Sequence, residues 1–135
     1  MSRAPVADFV DSFFTRTLFQ ADDDSLAVSV LDEELAPNIE IVINGTSFTK
    51  AAFTTLITTQ FRTAFVSSII EIKDLNIATT NSFGSTGVVA QWTEYLTIGK
   101  EDRKELKQSA TTIVRVEELH GKRVITGLWE AQTSD

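Results

Sequence analysis

The stretch VRVEELHGKRVITGLWEA, residues 114–131, decides how this chain folds. Ile113, Val114 and Val116 lead into a polar bend, and Val124, Ile125, Leu128 and Trp129 lead out of it. Both flanks are apolar and β-branched, which fits two paired strands. The bend from Glu117 to Arg123 carries His120-Gly121. That pair suits a tight hairpin, because Gly takes positive φ freely and His tolerates the left-handed region better than most residues. The reading places His120, the sole histidine, in solvent at a hairpin tip. A histidine there lacks the pocket that would orient it as a general base.

Upstream of this hairpin the same pattern continues. Residues 69–77, 88–98, 109–117 and 124–132 read as successive strands, with turns at Asn81-Ser82-Phe83-Gly84 and in the charged loop around Glu101 to Lys107. Before them the period changes. Pro5 suits a first helical turn, and Val6, Phe9, Val10, Phe13 and Phe14 follow helical spacing to about Phe19. Ser25 can cap a second helix through Leu26, Val30 and Leu31, ending near Leu35 before Pro37 and Asn38. The run IEIVING reads as a strand closing in an Asn44-Gly45 turn. Thr49 can cap a third helix whose stripe is Phe53, Leu56, Ile57, Phe61 and Ala64. Its other face is rich in threonine, so packing must hold it. Helices followed by an antiparallel meander make an α+β fold: N-terminal helices packed in a curved, mostly antiparallel sheet, in one domain over residues 1–135.

Composition removes whole classes of function. At 135 residues the chain can bury a core, and 42% apolar with 9% aromatic residues marks it as globular. It has no cysteine, which excludes disulfides, thiolate nucleophiles and Cys-based metal sites. One histidine excludes a His-rich zinc site. Asp22-Asp23-Asp24 lacks the spacing of a calcium loop and reads as a solvated helix N-terminus, so no metal and no cofactor is expected. The net charge of −7 and scattered basic residues argue against nucleic acid. No apolar run approaches membrane-spanning length and no secretory h-region opens the chain, so a cytoplasmic location is expected, with the Asn44-Gly45-Thr46 sequon serving as a turn.

The order of elements resembles the nuclear transport factor 2-like superfamily, with its SnoaL-like cyclases and ketosteroid isomerase-like enzymes. The resemblance is carried by LAPNIEIVINGTSFT entering the third helix, GVVAQWTEY in the sheet and IVRVEELHGKRVITGLWEA at the end. It implies a cystatin-like α+β cone barrel, an apolar pocket at its wide end, and a homodimer formed through the outer sheet face. It does not carry the family's acids. The positions that match them hold Ile43, Asn44, Ser109 and Ala131.

Candidate site residues follow from strand alternation. Ile125, Gly127, Trp129 and Ala131 share one face of the last strand; Val124, Thr126, Leu128, Glu130 and Gln132 share the other. The resemblance turns the Trp129 face inward, where small Gly127 and Ala131 leave room for a flat apolar ligand. The alternative is a Trp129 that fills the core. On GVVAQWTEY, Glu94 interrupts the apolar face of Val88, Ala90, Trp92, Leu96 and Ile98. Buried there it would carry a raised pKa and act as acid or base; paired with Arg115 or Lys73 it would be structural. Tyr95 could donate to a ligand oxygen or lie in a dimer interface. Glu94 and Tyr95 are the catalytic candidates. Phe14, Asp32, Gln60, Trp92, Gly127, Trp129 and Ala131 are the pocket candidates.

Two functions compete. One is a metal-free cyclase, isomerase or dehydratase of secondary metabolism acting on an apolar small molecule by shape and one placed acid. The other is a non-catalytic homodimeric binding module, with Val124 and Leu128 on an outer face that needs covering. Binding a small GTPase and Phe-Gly repeats, as transport factors do, has no motif here.

Overall fold

The computed structural model of the protein describes residues 3–134. The chain opens with helix α1 (Pro5–Thr17), which has Pro5 in its first turn. Val6, Val10 and Phe13 point into the core and are fully buried. Helix α2 (Asp24–Glu34) is capped by Asp23, whose carboxylate accepts from the Leu26 amide at 2.9 Å, so the cap lies two residues before Ser25. A two-pronged bond from Arg16 to Glu34, at 2.6 and 2.8 Å, fastens the ends of the two helices together.

Strand β1 (Leu35–Ile43) follows at once. It contains Pro37, and its pairing with the last strand skips between Leu35 and Glu40. Pro37 has no N–H to donate, so it is tolerated in that bulge. Asn44 (φ 49°) and Gly45 (φ 83°) then make the two-residue turn into β2 (Thr46–Phe48). Both positive angles match the mirror-image turn that suits the twist of paired strands.

The third helical segment has three parts. Helix α3 (Lys50–Thr55) is capped by the Thr49 hydroxyl and runs into a π-helical turn (Leu56–Phe61) and a short α4 (Arg62–Ala64). Within it, the Thr58 and Thr63 hydroxyls donate to the carbonyls four residues back, at 2.7 and 2.6 Å. The threonines that make this a poor solitary helix thus bond back onto its own backbone. Arg62 is buried and donates to the carbonyls of Thr17 and Gln20 and to the Asp24 carboxylate. It locks this segment to the α1–α2 connection.

Four long strands complete the chain: β3 (Phe65–Thr79), β4 (Gly87–Gly99), β5 (Glu105–Leu119) and β6 (Lys122–Ser134). The sheet order is β2-β1-β6-β5-β4-β3, antiparallel except for the β1–β6 pair. It is curved and unclosed, so the expected cone is an open sheet wrapped on helices rather than a closed barrel. Bulges in β3, between Ile69 and Glu71 and between Asp74 and Asn76, help bend it. His120 is exposed at the β5–β6 tip with φ 54°.

The core lies between the two N-terminal helices and the concave face of the sheet. Leu31, Leu35, Ile41, Val114, Val116, Ile125 and Leu128 are buried there. Each large aliphatic side chain so buried contributes roughly 1.5–3 kcal/mol. Val124 and Leu128, expected on an outer face, are inside. Among the described residues, no helix is long and apolar enough to cross a membrane.

Candidate functional site

Beyond this core the helices diverge from the sheet and leave a cavity of about 200 Å³. Phe14, Leu18 and Phe19 close it from α1 and its end; Phe53, Leu56, Ile57 and Phe61 close it from α3 and the π-helical turn. The wider π turn presents Leu56 and Phe61, five residues apart, to the same space. The sheet supplies Ile43, Ile69, Ile72, Ala110 and the polar groups Gln91, Thr93, Tyr95, Thr112, Glu130 and Gln132.

Each polar group has a distinct surrounding. Gln91 is buried and donates to Asp11 at 2.6 Å and to Asp74 at 3.2 Å. Arg3 bonds both carboxylates and Asp8 as well. The Arg3 guanidinium holds the Asp74 carboxyl below its ordinary range. Tyr95 packs edge-on to Phe19, centroids 5.6 Å apart, and its hydroxyl accepts from the Gln132 amide. Burial, with the Glu130 charge nearby, pushes the phenol up to about 12.

Glu130 stands apart. Its carboxyl has no hydrogen-bond or ion-pair partner among the described residues, and it lines the cavity; its backbone carbonyl accepts from the Asn44 amide at 2.9 Å. Some of its surface remains accessible because it faces that void, yet protein crowds the carboxyl. Desolvation alone pushes its pKa up to about 7. Near neutral pH this group exists in both forms, as an acid that can donate and a base that can accept.

Of the residues singled out from sequence, Phe14 and Tyr95 line the cavity. Glu94 does not: it is on the outer face, 3.4 Å from Lys107 rather than Arg115 or Lys73. Trp92 is on the same outer face with Lys73 5.2 Å from its ring centroid. Trp129 is also outside, under the Arg115 guanidinium at 5.5 Å, with Gly127 beneath it. Ala131 is exposed on that face, and Gln60 is exposed on the third helical segment. Asp32 lies in an open groove between α2 and α3, where Lys50 grips its carbonyl at 2.7 Å.

The inversion of β6 has a local cause. Arg115 pairs with Gly127, but Val116 pairs with Ile125, leaving Thr126 as the extra residue of a bulge. A bulge moves later residues to the opposite face. Ile125 faces the core, and after Thr126 the inward set becomes Leu128, Glu130 and Gln132. The Arg115 guanidinium bonds the Thr126 hydroxyl at 2.9 Å and its carbonyl at 3.2 Å, fixing the bulge. Alternation without the bulge hides Glu130. On β4 the more polar face turns inward because it lines a cavity. Asp11 lay on a helix without any sequence signal that set it apart from Asp8.

Comparison with solved structures matches this arrangement over nearly the whole chain. A conserved protein from Planctomyces limnophilus superposes with a TM-score of 0.71 at 12% identity, covering 96% of this chain and 98% of that one. A ketosteroid isomerase-like protein from Erwinia carotovora atroseptica gives 0.67 at 11%, covering 98% and 96%. The chain has the nuclear transport factor 2-like fold. LinA, whose type 2 form is described as a hexachlorocyclohexane dehydrochlorinase, shares this fold at a TM-score of 0.67 and 12% identity, over 97% of this chain and 85% of its own. No protein-family profile and no curated protein matches the sequence. At these identities the nuclear transport factor 2-like fold is what is shared, and the chemistry has to come from this chain's own residues.

Proposed function

We propose that this protein binds an apolar small molecule in the cavity and performs proton-transfer chemistry on it, as an isomerase, cyclase or dehydratase would, with Glu130 as the acid–base group. One observation carries the reading: a carboxyl with no partner among the described residues faces an apolar cavity, where burial pushes its pKa up to about 7. An apolar cavity with a few convergent polar groups and one perturbed carboxyl is the arrangement small-molecule sites use. Tyr95 and Gln132 form a second polar pole that can orient a ligand oxygen. Solved structures that share this fold include a hexachlorocyclohexane dehydrochlorinase and a SnoaL-like family protein assigned as an isomerase without proof of activity, which supports a fold capable of such chemistry.

The test uses 5-nitrobenzisoxazole, a flat neutral bicycle. A carboxylate removes its ring C–H proton while the N–O bond breaks, and the coloured cyanonitrophenolate carries away the electron pair. The expected rate rises with pH through about 7, as the Glu130 carboxylate forms. Glu130→Gln is expected to lower it about a hundredfold or more. A rate unchanged by E130Q would sink the assignment.

A second reading, a homodimeric binding module, is supported by the outer sheet face. Trp92 and Trp129 are half-buried there, and Ile113 between them is 43% exposed. Lys73 and Arg115 lie against the two rings and shield part of this surface. Sedimentation equilibrium of the native chain and of Ile113→Glu tests it. A native dimer that the variant dissociates is expected; a native monomer rejects it.

A further inference from the structure

The charge around the cavity has one sign. Asp11 faces it from α1, Tyr95 from β4 and Glu130 from β6; β1, β3, β5 and the third helical segment contribute no ionisable group, and among the described residues no Lys, Arg or His lines it. Asp11 is already engaged by Arg3 and Gln91. The Glu130 carboxyl has no partner among the described residues, so we take its polar partner to arrive with the ligand. Five aromatic rings, Phe14, Phe19, Phe53, Phe61 and Tyr95, wall the same space.

We propose that the cavity selects a lipophilic amine: a hydrocarbon skeleton of one or two rings bearing a single ammonium, which pairs with the Glu130 carboxylate. The proposal rests on the reading that this cavity takes small molecules with Glu130 as its reactive group, and it names the class of molecule. An anion would bring like charge to the unpaired Glu130 carboxylate, and among the described residues no cation lines the cavity to receive it. A neutral alcohol gains one ordinary hydrogen bond. An ammonium gains a charge-assisted bond, roughly twice as strong.

Burial of an ion pair is usually expensive because both ions lose water. Here the carboxyl has already been desolvated by folding, so only the ligand's dehydration remains. Aromatic ring faces attract a desolvated cation, which offsets part of that cost. Size agrees as well. An apolar cavity of about 150 Å³ accepts benzene, so one of about 200 Å³ suits a slightly larger skeleton.

Titration calorimetry with three probes of one shape tests this: indan-2-amine, indan-2-ol and indane-2-carboxylate. The amine is expected to bind about tenfold or more tighter than the alcohol, and the carboxylate weakest. Amine binding at pH 7 is expected to release about half a proton, read from the heat difference between buffers of different ionisation enthalpy, as Glu130 becomes fully ionised. Glu130→Gln is expected to abolish the amine's advantage over the alcohol. An amine that binds no tighter than the alcohol, or whose preference survives E130Q, overturns the amine assignment and leaves the small-molecule reading standing. If none of the three binds at about 1 mM, both fall.

Discussion

Replacing Glu130 by Gln should make the protein more stable, and only above a definite pH. Burial pushes the carboxyl up to about 7 in the folded chain from an ordinary 4.5. Between those values the folded state holds a proton that the unfolded state has lost. Stability therefore falls as pH rises from about 4.5 and levels off above about 7, where both states are ionised and the folded one keeps a desolvated charge. The span is 7 − 4.5 = 2.5 pH units, which at 1.36 kcal/mol per unit amounts to about 3 kcal/mol. Gln has nearly the same shape and no charge, so the variant escapes this loss. The difference between E130Q and the native chain should be near zero at pH 4 and grow to about 3 kcal/mol at pH 8. That corresponds to roughly 10 °C in Tm for a domain of this size. Urea denaturation of both proteins at several pH values, followed by circular dichroism, measures it. The difference cancels every other titrating group. A stability difference that stays flat with pH, or a variant less stable throughout, would refute the claim that Glu130 is desolvated without a partner. Such a group is what a functional site retains at the expense of stability.

Other substitutions separate the cavity from its supports. Arg62→Met should cost about 2–4 kcal/mol in urea denaturation, since it strips the buried Thr17 and Gln20 carbonyls of their donor; the Asp24 carboxylate is mostly exposed and adds little. Gly127→Ala places a Cβ 2.4 Å from the Trp129 ring, so the ring must move. Near-UV circular dichroism should change, stability should drop by about 1–3 kcal/mol, and indan-2-ol affinity should hold, because this face is outside the cavity. Glu94→Gln should leave stability within about 0.5 kcal/mol and the 5-nitrobenzisoxazole rate unchanged; a large loss of rate would put Glu94 back in the site.

Local chemistry determined the elements. Period-2 and period-3.6 patterns, Pro5, the Asn44-Gly45 turn and the His120-Gly121 tip are short-range signals, and each acts through a few neighbouring backbone angles. From them the α+β class and the solvent position of the single histidine were legible, and so was the place of the Asp22-Asp23-Asp24 run at a helix N-terminus, although the cap was read at Ser25 and lies at Asp23. The strand boundaries were read short at both ends of β3, β5 and β6, because the residues there pair with neighbours the local sequence does not show. The faces of the sheet were decided by tertiary structure alone. One extra residue at Thr126, held by Arg115 from the adjacent strand, reverses which side chains of β6 look inward. That reversal sends Trp129 outside and brings Glu130 into the cavity. Pairing across strands is a long-range event, and nothing near Thr126 in sequence announces it. The candidate site therefore depends on a register that only the assembled sheet could set.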